Sequence, residues 1–224
     1  QVTVRDLKEH HLKGLTNPER IWQVDAPDLL RDFPLLDSPY LVPNNLPTQL
    51  TSFVGREKEI TDVKKLLQDI HILTLNGPGG TGKTRLSLQV AADLFDQFPN
   101  GVWFVELAPL SGPELVSQTI LTTMGLVEQQ GKSILQTLVE SLHGKKVLVI
   151  LDNCEHLIAG CARLADHLLH QCAGLKILAS SREALGIAGE VAYRTPSLAD
   201  SESTQLFVDR AHAANSNFKL TDSN

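Results

Sequence analysis

Cysteine is scarce and badly placed for cross-linking: Cys154, Cys161 and Cys172 are odd in number, and no Cys-x-x-Cys pair or Cys/His ligand spacing accompanies them. A disulfide framework and a structural zinc site are both disfavoured. No apolar run approaches the roughly 20 residues that cross a bilayer, and the opening QVTVRDLKEHHLKG lacks the apolar centre of an export signal. Excess positive charge is lacking too. The 20 Lys and Arg are outnumbered by 26 Asp and Glu, for a formal net charge of −6, so a broad basic footprint for nucleic acid or an anionic membrane is not expected. These absences point to a reducing, cytoplasmic setting. What is present, 42% hydrophobic and 21% charged residues over 224 positions, suits one globular domain and a fragment of another.

Six of the eleven prolines fall in the first fifty residues, where each fixes φ and removes a backbone donor. Residues 26–50 therefore read as an extended Pro-rich linker. Before it, QVTVRDL and RIWQVDA alternate apolar and polar residues around turn signals at Gly14 and Asn17-Pro18, a candidate strand pair in residues 1–25. From Thr51 to Asn224, strand-like apolar runs alternate with helix-length amphipathic stretches, which predicts an α/β domain. Helices are expected at Glu57–Gln68, Lys83–Phe95, Pro113–Met124, Ser133–Leu142, Glu155–Gln171 and Ser201–Ala214. Strands are expected at His71–Asn76, Gly101–Leu107, Lys146–Asp152 and Leu175–Ser180. Of these, KVLVILD is apolar without interruption until its last residue, as befits a strand covered on both faces of a parallel sheet.

Directly after the strand HILTLN stands Gly77-Pro78-Gly79-Gly80-Thr81-Gly82-Lys83-Thr84, a full match to G-x-x-x-x-G-K-[ST]. Glycines reach φ values closed to other residues, so successive N–H groups can turn inward around a phosphate. The helix that follows adds its unpaired N–H groups and partial positive charge. In this pattern Lys83 reaches the β- and γ-phosphates, the Thr84 hydroxyl coordinates Mg²⁺, and Arg85 beside them is counted with the nucleotide contacts. The alternative is a glycine-rich surface turn.

Such a loop calls for a carboxylate, because Mg²⁺ takes hard oxygen ligands. Asp152, at the C-terminal end of KVLVILD, stands where ligands bind in open α/β sheets; a helix-cap role is the alternative. Asn153 follows, and an amide takes up no proton at neutral pH. Glu155 is the nearest carboxylate that could polarise water, unless it sits in the first turn of a helix and serves only its dipole. His156 reads as a helix-face histidine, and Cys154 and Cys161, seven apart, as core packing on one helical face. Arg182, just past the strand LKILAS, could distinguish a triphosphate from a diphosphate by charge-assisted hydrogen bonds, or simply pair with Glu183 or solvent.

Four pieces in order, Phe53-Val54-Gly55-Arg56-Glu57-Lys58-Glu59, GPGGTGKT, LVILDNCEHL and LASSREAL, resemble the nucleotide-binding domain of the STAND class, the signal-transduction ATPases with numerous domains, near the NB-ARC group. The resemblance spans residues 51 to about 195. It implies a P-loop NTPase three-layer sandwich of the ASCE type with a mostly parallel sheet, binding ATP or ADP with Mg²⁺. It also implies that Val54, Gly55 and Arg56 lie against adenine and that Arg182 contacts the γ-phosphate. Asn153 departs from the many relatives with a second acid in that slot, which argues against fast hydrolysis. The segment VRDLKEHHLKGLTNPERIWQV is similar to the last strands of class III adenylyl or guanylyl cyclase domains, without their metal-binding residues. STAND proteins continue into a helical lid, a winged helix and often repeats, so the partners implied are other domains of the same polypeptide and ligand-dependent self-association.

The leading functional expectation is a slowly hydrolysing ATP-driven switch in a bacterial regulator. A small-molecule phosphotransferase on the same loop is the alternative, although Pro113–Leu142 contains none of the arginines such a lid uses. A non-hydrolysing interaction module is the third. ATP is preferred over GTP by the resemblance and because no Asn-Lys-x-Asp sequence occurs.

Overall fold

The computed structural model describes residues 3–10, 19–25, 42–49, 51–215 and 218. It divides into two compact units, Gln1–Pro43 and Asn44–Asn224. In the first, β1 (Thr3–His10) and β2 (Glu19–Asp25) pair antiparallel, with Val4 opposite Val24 and an irregularity between Asp6 and Lys8. Arg20 pairs with Asp6 at 2.6 Å and lies 5.1 Å from the Trp22 ring centre. The expected turn at Gly14 and Asn17-Pro18, and the linker residues 26–41 and 50, lie outside the described residues.

The second unit runs α1 (Glu57–Asp69), β3 (Ile72–Asn76), α2 (Lys83–Asp93), β4 (Val102–Glu106), α3 (Leu115–Thr123), α4 (Ile134–Leu142), β5 (Val147–Asp152), α5 (Ile158–Gln171), β6 (Leu175–Ser181), β7 (Glu190–Arg194) and α6 (Asp200–Ala214). Five strands form one parallel sheet in the order β4-β5-β6-β3-β7. Every residue of β5 is buried, as its unbroken apolar run requires of a strand covered on both faces. Side chains alternate between faces along a strand. Thus Val147, Val149 and Leu151 join Ile177 and Ala179 under α3, α4 and α5. The alternate residues Leu148, Ile150 and Leu178 are equally buried and turn to the face where α2 packs on β5 and β6. The result is a three-layer α/β sandwich.

The helix boundaries have local causes. Ser133 caps α4: its hydroxyl accepts from the Gln136 N–H at 3.2 Å, while the Gln136 side chain accepts from the Ser133 N–H at 2.9 Å. Asn45 shields the outer edge of β4, donating to the Phe104 carbonyl and accepting from its N–H, both at 2.7 Å. This stretch, read in the sequence as linker, acts as a short substitute strand.

Three expectations need correction. The helix predicted from Glu155 is two pieces, a 3-10 turn at Cys154–His156 and α5 from Ile158, separated by Leu157 at φ −129°. Glu155 is therefore not in the first turn of α5, and Cys154 precedes the helix whose face it was expected to share with Cys161. Both thiols are buried, and a hydrogen bond with Cys161 together with burial pushes the Cys154 thiol well up. Strand β7, EVAYR, was not expected at all: it is five residues long, half-exposed and at the sheet edge, so it carries no long apolar run. Finally, helix Lys83–Phe95 ends at Asp93, with Phe95–Gln97 in a 3-10 turn.

Leu138, fully buried in α4 beneath the sheet and remote from the glycine-rich loop, provides a test of this core. Leu138→Ala is expected to destabilise the chain by about 2–5 kcal/mol, read as a lower urea midpoint at unchanged slope.

Candidate functional site

Parallel strands that end in register deliver several side chains to one edge. Asn76 stands opposite Ser181 and Arg194, and Glu106 opposite Asp152. Because β6 lies between β3 and β5, the residues that close β6 separate the strand leading into the glycine-rich loop from the strand carrying Asp152. The loop turns through Gly77, Gly80 and Gly82 at φ 149°, 80° and 79°, and Gly82 caps α2. At these angles a Cβ is strained, which is why glycine occupies all three.

Thr84, in the first turn of α2, donates its hydroxyl to Asp152 Oδ1 at 2.8 Å. Ser180, at the end of β6, donates to the same oxygen at 2.5 Å and accepts from the Asn153 N–H at 2.9 Å. Asp152 is only 7% exposed, so these bonds offset the cost of burying a carboxylate. Lys83 lies over the mouth of the loop, its ammonium donating to the carbonyls of Gly77 (2.9 Å) and Pro78 (3.0 Å). Asn153 takes the left-handed conformation, φ 67°, which asparagine tolerates better than most residues. Glu155 faces Arg182, with Nε to Oε1 at 3.2 Å, so the arginine pairs with neither Glu183 nor solvent alone. His156 Nε2 lies 3.1 Å from the Leu110 carbonyl and is engaged structurally.

A cleft of about 640 Å³ opens on the other side of the loop. Its walls are Thr51–Val54 with Arg56, Pro78–Gly82 with Arg85, and Ser197, Leu198, Ser203, Leu206 and Arg210. Val54 and Arg56 thus meet Pro78, Gly79, Gly80, Thr81 and Gly82 in one space. Gly55, Lys83, Thr84, Asp152, Glu155 and Arg182 are not in its lining: the last five belong to the sheet edge. Arg85 is committed to the Thr51 hydroxyl (2.9 Å) and to the Thr51 and Ser52 carbonyls (both 3.0 Å). Arg56, 5% exposed and at φ 66°, donates through Nη2 to Thr81 O (2.6 Å) and Pro196 O (3.0 Å). Its Nη1 is buried without a hydrogen-bond partner. A positively charged donor of this kind suits an acceptor-rich ligand in the cleft.

Sequence reasoning gave Ser180 no role, although it lies in the quoted LASSREAL piece; only the neighbouring strands make it a bridge to Asp152. It also missed Glu202 on α6, whose carboxylate accepts from the N–H groups of Ala199 (3.0 Å) and Arg56 (3.1 Å), which hold it below the usual carboxylate range. The spacing of Ala199 and Glu202, N-cap and third helical position, was the available signal. The residues present fit a polyphosphate and Mg²⁺. Three positive-φ glycines shape the loop, and a hydroxyl and a carboxylate at 2.8 Å supply the hard oxygens the cation prefers. No group of three His, Cys, Asp or Glu side chains able to hold a metal occurs among the described residues, so such an ion depends on phosphate oxygens and water for its remaining ligands.

The chain is 44% identical over 172 residues to an uncharacterized protein of Mycobacterium tuberculosis, covering 76% of this chain and 44% of that one. It is 28% identical over 209 residues to the regulatory protein AfsR of Streptomyces griseus, covering 85% and 20%. The chain thus spans less than half the length of these curated relatives. A solved structure of similar fold is the STAND protein with a tetratricopeptide repeat sensor from Pyrococcus horikoshii, with a TM-score of 0.50 at 17% identity over 77% of this chain and 27% of that one. The NB-ARC domain matches residues 56–217, from the left-handed arginine before α1 to beyond the end of α6. That is well over half of the sequence, and the chain belongs to the NB-ARC domain family.

Proposed function

We propose that this chain is the ATP-binding module of a regulatory protein, a conformational switch that holds ATP or ADP and hydrolyses ATP slowly. The observation that carries this reading is the 2.8 Å bond between Thr84 and Asp152 at the mouth of the Gly77–Thr84 loop. It brings together the two side chains that, in P-loop proteins, share the magnesium of a nucleoside triphosphate.

In this reading the Gly77–Gly82 amides and the N-terminus of α2 hold the phosphates, and Lys83 exchanges its two carbonyl contacts for β- and γ-phosphate oxygens. The base lies in the cleft against Val54 and Arg56, with Gly55 allowing the loop its turn. A magnesium ion held by Thr84 and Asp152 supplies charge neutralisation between the phosphates. Arg182 is 68% exposed, and an exposed ion pair such as the one it makes with Glu155 contributes about 0–1 kcal/mol. A γ-phosphate in reach therefore outcompetes Glu155, and the arginine reports on the triphosphate. Asn153 provides no base, and Glu155, which Arg182 engages until a γ-phosphate draws the arginine away, is the nearest carboxylate in sequence to orient water. Slow turnover follows, with a non-hydrolysing module as the second reading, favoured by the amide that Asn153 places after Asp152. The phosphotransferase reading has no comparable support.

The regulatory assignment draws on the relative named as a regulatory protein. The lid, winged helix and repeats, self-association and cytoplasmic location belong to the whole protein in this reading, as does a cyclase-like domain ending in β1 and β2. No helix among the described residues is long and apolar enough to cross a membrane.

Two variants test the site by calorimetric titration with ATP and ADP. Lys83→Ala removes one charge-assisted contact to each of the β- and γ-phosphates, at about 1.5–3 kcal/mol per contact, and is expected to weaken ATP by about 100-fold or more and ADP, which has only the β contact, by about tenfold or more; unchanged affinity refutes the phosphate site. Arg182→Ala is expected to weaken ATP about tenfold and leave ADP unaltered, as one such contact implies; equal losses remove the sensor role. Phosphate release from ATP separates the three functions: slow release without an acceptor supports the switch, release only with an acceptor the phosphotransferase, and none the inert module.

A further inference from the structure

We propose that Glu202 is a positioning residue for the nucleotide cleft: its carboxylate clips the Ser52–Arg56 loop to the N-terminus of α6, so that this wall of the cleft and the helix move together. The inference rests on the reading of the cleft as a nucleotide site and assigns α6 a part in it.

The two carboxylate oxygens are used on two distant segments. Oε2 accepts from the Ala199 N–H at 3.0 Å, within the first turn of α6, and Oε1 accepts from the Arg56 N–H at 3.1 Å, 146 residues away in sequence. Backbone donors to an ionised acceptor make bonds about twice as strong as neutral ones. Gly55 is shaped around this contact. Its φ is +69°, and a Cβ there would fall 2.2 Å from Glu202 Oε1 and 2.4 Å from its carboxyl carbon, so any other side chain would have to displace the clip. Arg56 then takes φ 66°, a conformation uncommon for a long side chain, and from it reaches Thr81 in the glycine-rich loop and Pro196 just before α6. Farther along the helix the same loop is held twice more: the Ser52 hydroxyl donates to Asp209 at 3.0 Å, and Arg210 donates to the Ser52 carbonyl at 3.2 Å.

Glutamate is specific to this task. Glutamine keeps the length and one acceptor, but its amide nitrogen must then face an N–H donor, so one of the two bonds is lost. Since the loop contacts the base side of the cleft, which ATP and ADP share, loosening it should affect both nucleotides alike, unlike the loss of Arg182.

The test compares the 224-residue chain with its Glu202→Gln variant by amide hydrogen exchange without nucleotide and by calorimetry with ATP and ADP. Expected are faster exchange at Arg56 or Ala199 with unchanged protection in β5 and β6, and affinities for both nucleotides reduced by the same factor, up to about tenfold, since the worth of the lost hydrogen bond is the ceiling on its coupling to binding. Gly55→Ala and Glu202→Ala should each weaken binding as well, and in the Gly55→Ala/Glu202→Ala double variant the loss should be smaller than the product of these two single losses, because clash and clip disappear together. Unchanged exchange at both amides, unchanged affinity despite faster exchange, or multiplicative losses overturn the proposal. If the unmodified chain binds neither nucleotide, the nucleotide reading itself fails, and the exchange comparison alone still decides whether the clip exists.

Discussion

A carboxylate at the end of a buried strand is costly unless it is hydrogen-bonded, and the rest of the site is arranged to hold it. Asp152 follows five apolar residues that anchor β5 in the core, so its backbone has no freedom to carry the side chain toward water. Two hydroxyls, from a helix on one side and a neighbouring strand on the other, donate to a single oxygen. Removing either would leave a poorly solvated charge, and a buried charge is tolerated only when hydrogen-bonded. The contact with Thr84 also fixes the start of α2, and hence where the glycine-rich loop must close.

The loop joins two regions of different character. At the sheet edge, Lys83, Thr84, Asp152, Glu155 and Arg182 are charged or polar groups gathered by strand register. On the other side, the cleft is walled by a loop without secondary structure of its own, Thr51–Val54 with Arg56, which is held by borrowed contacts. Arg85 grips it from α2, while Glu202, Asp209 and Arg210 grip it from α6. A wall fixed in this way is only as rigid as the helices holding it. A displacement of α6 relative to the sheet would therefore alter the cleft without disturbing the buried core, as the proposed switch requires.

Much of the arrangement could be read from residue order. The glycine spacing before Lys83 required positive-φ turns, and three glycines have them. The apolar run ending at Asp152 required a fully covered strand, and the capping pattern at Ser133 sets the start of α4. Where reading failed, either a backbone turn interrupted a helical pattern or the governing partner was distant. Glu155 looks like a helix residue until Asn153 turns the chain and Leu157 interrupts it, and β7 is too short and too polar to signal a strand until it finds the edge of β3.

The sequence by itself determined the elements that depend on near neighbours: the glycine-rich loop, the buried strands and most helix boundaries, because φ preferences and apolar periodicity act over a few residues. Tertiary structure alone decided what Ser180, Arg56 and Glu202 do. Each acts across a gap of 25 to 146 residues, closed only when β6 inserts between β3 and β5 and α6 folds back over the loop. Strand order and helix docking minimise the free energy of the whole core, and no local pattern encodes that sum.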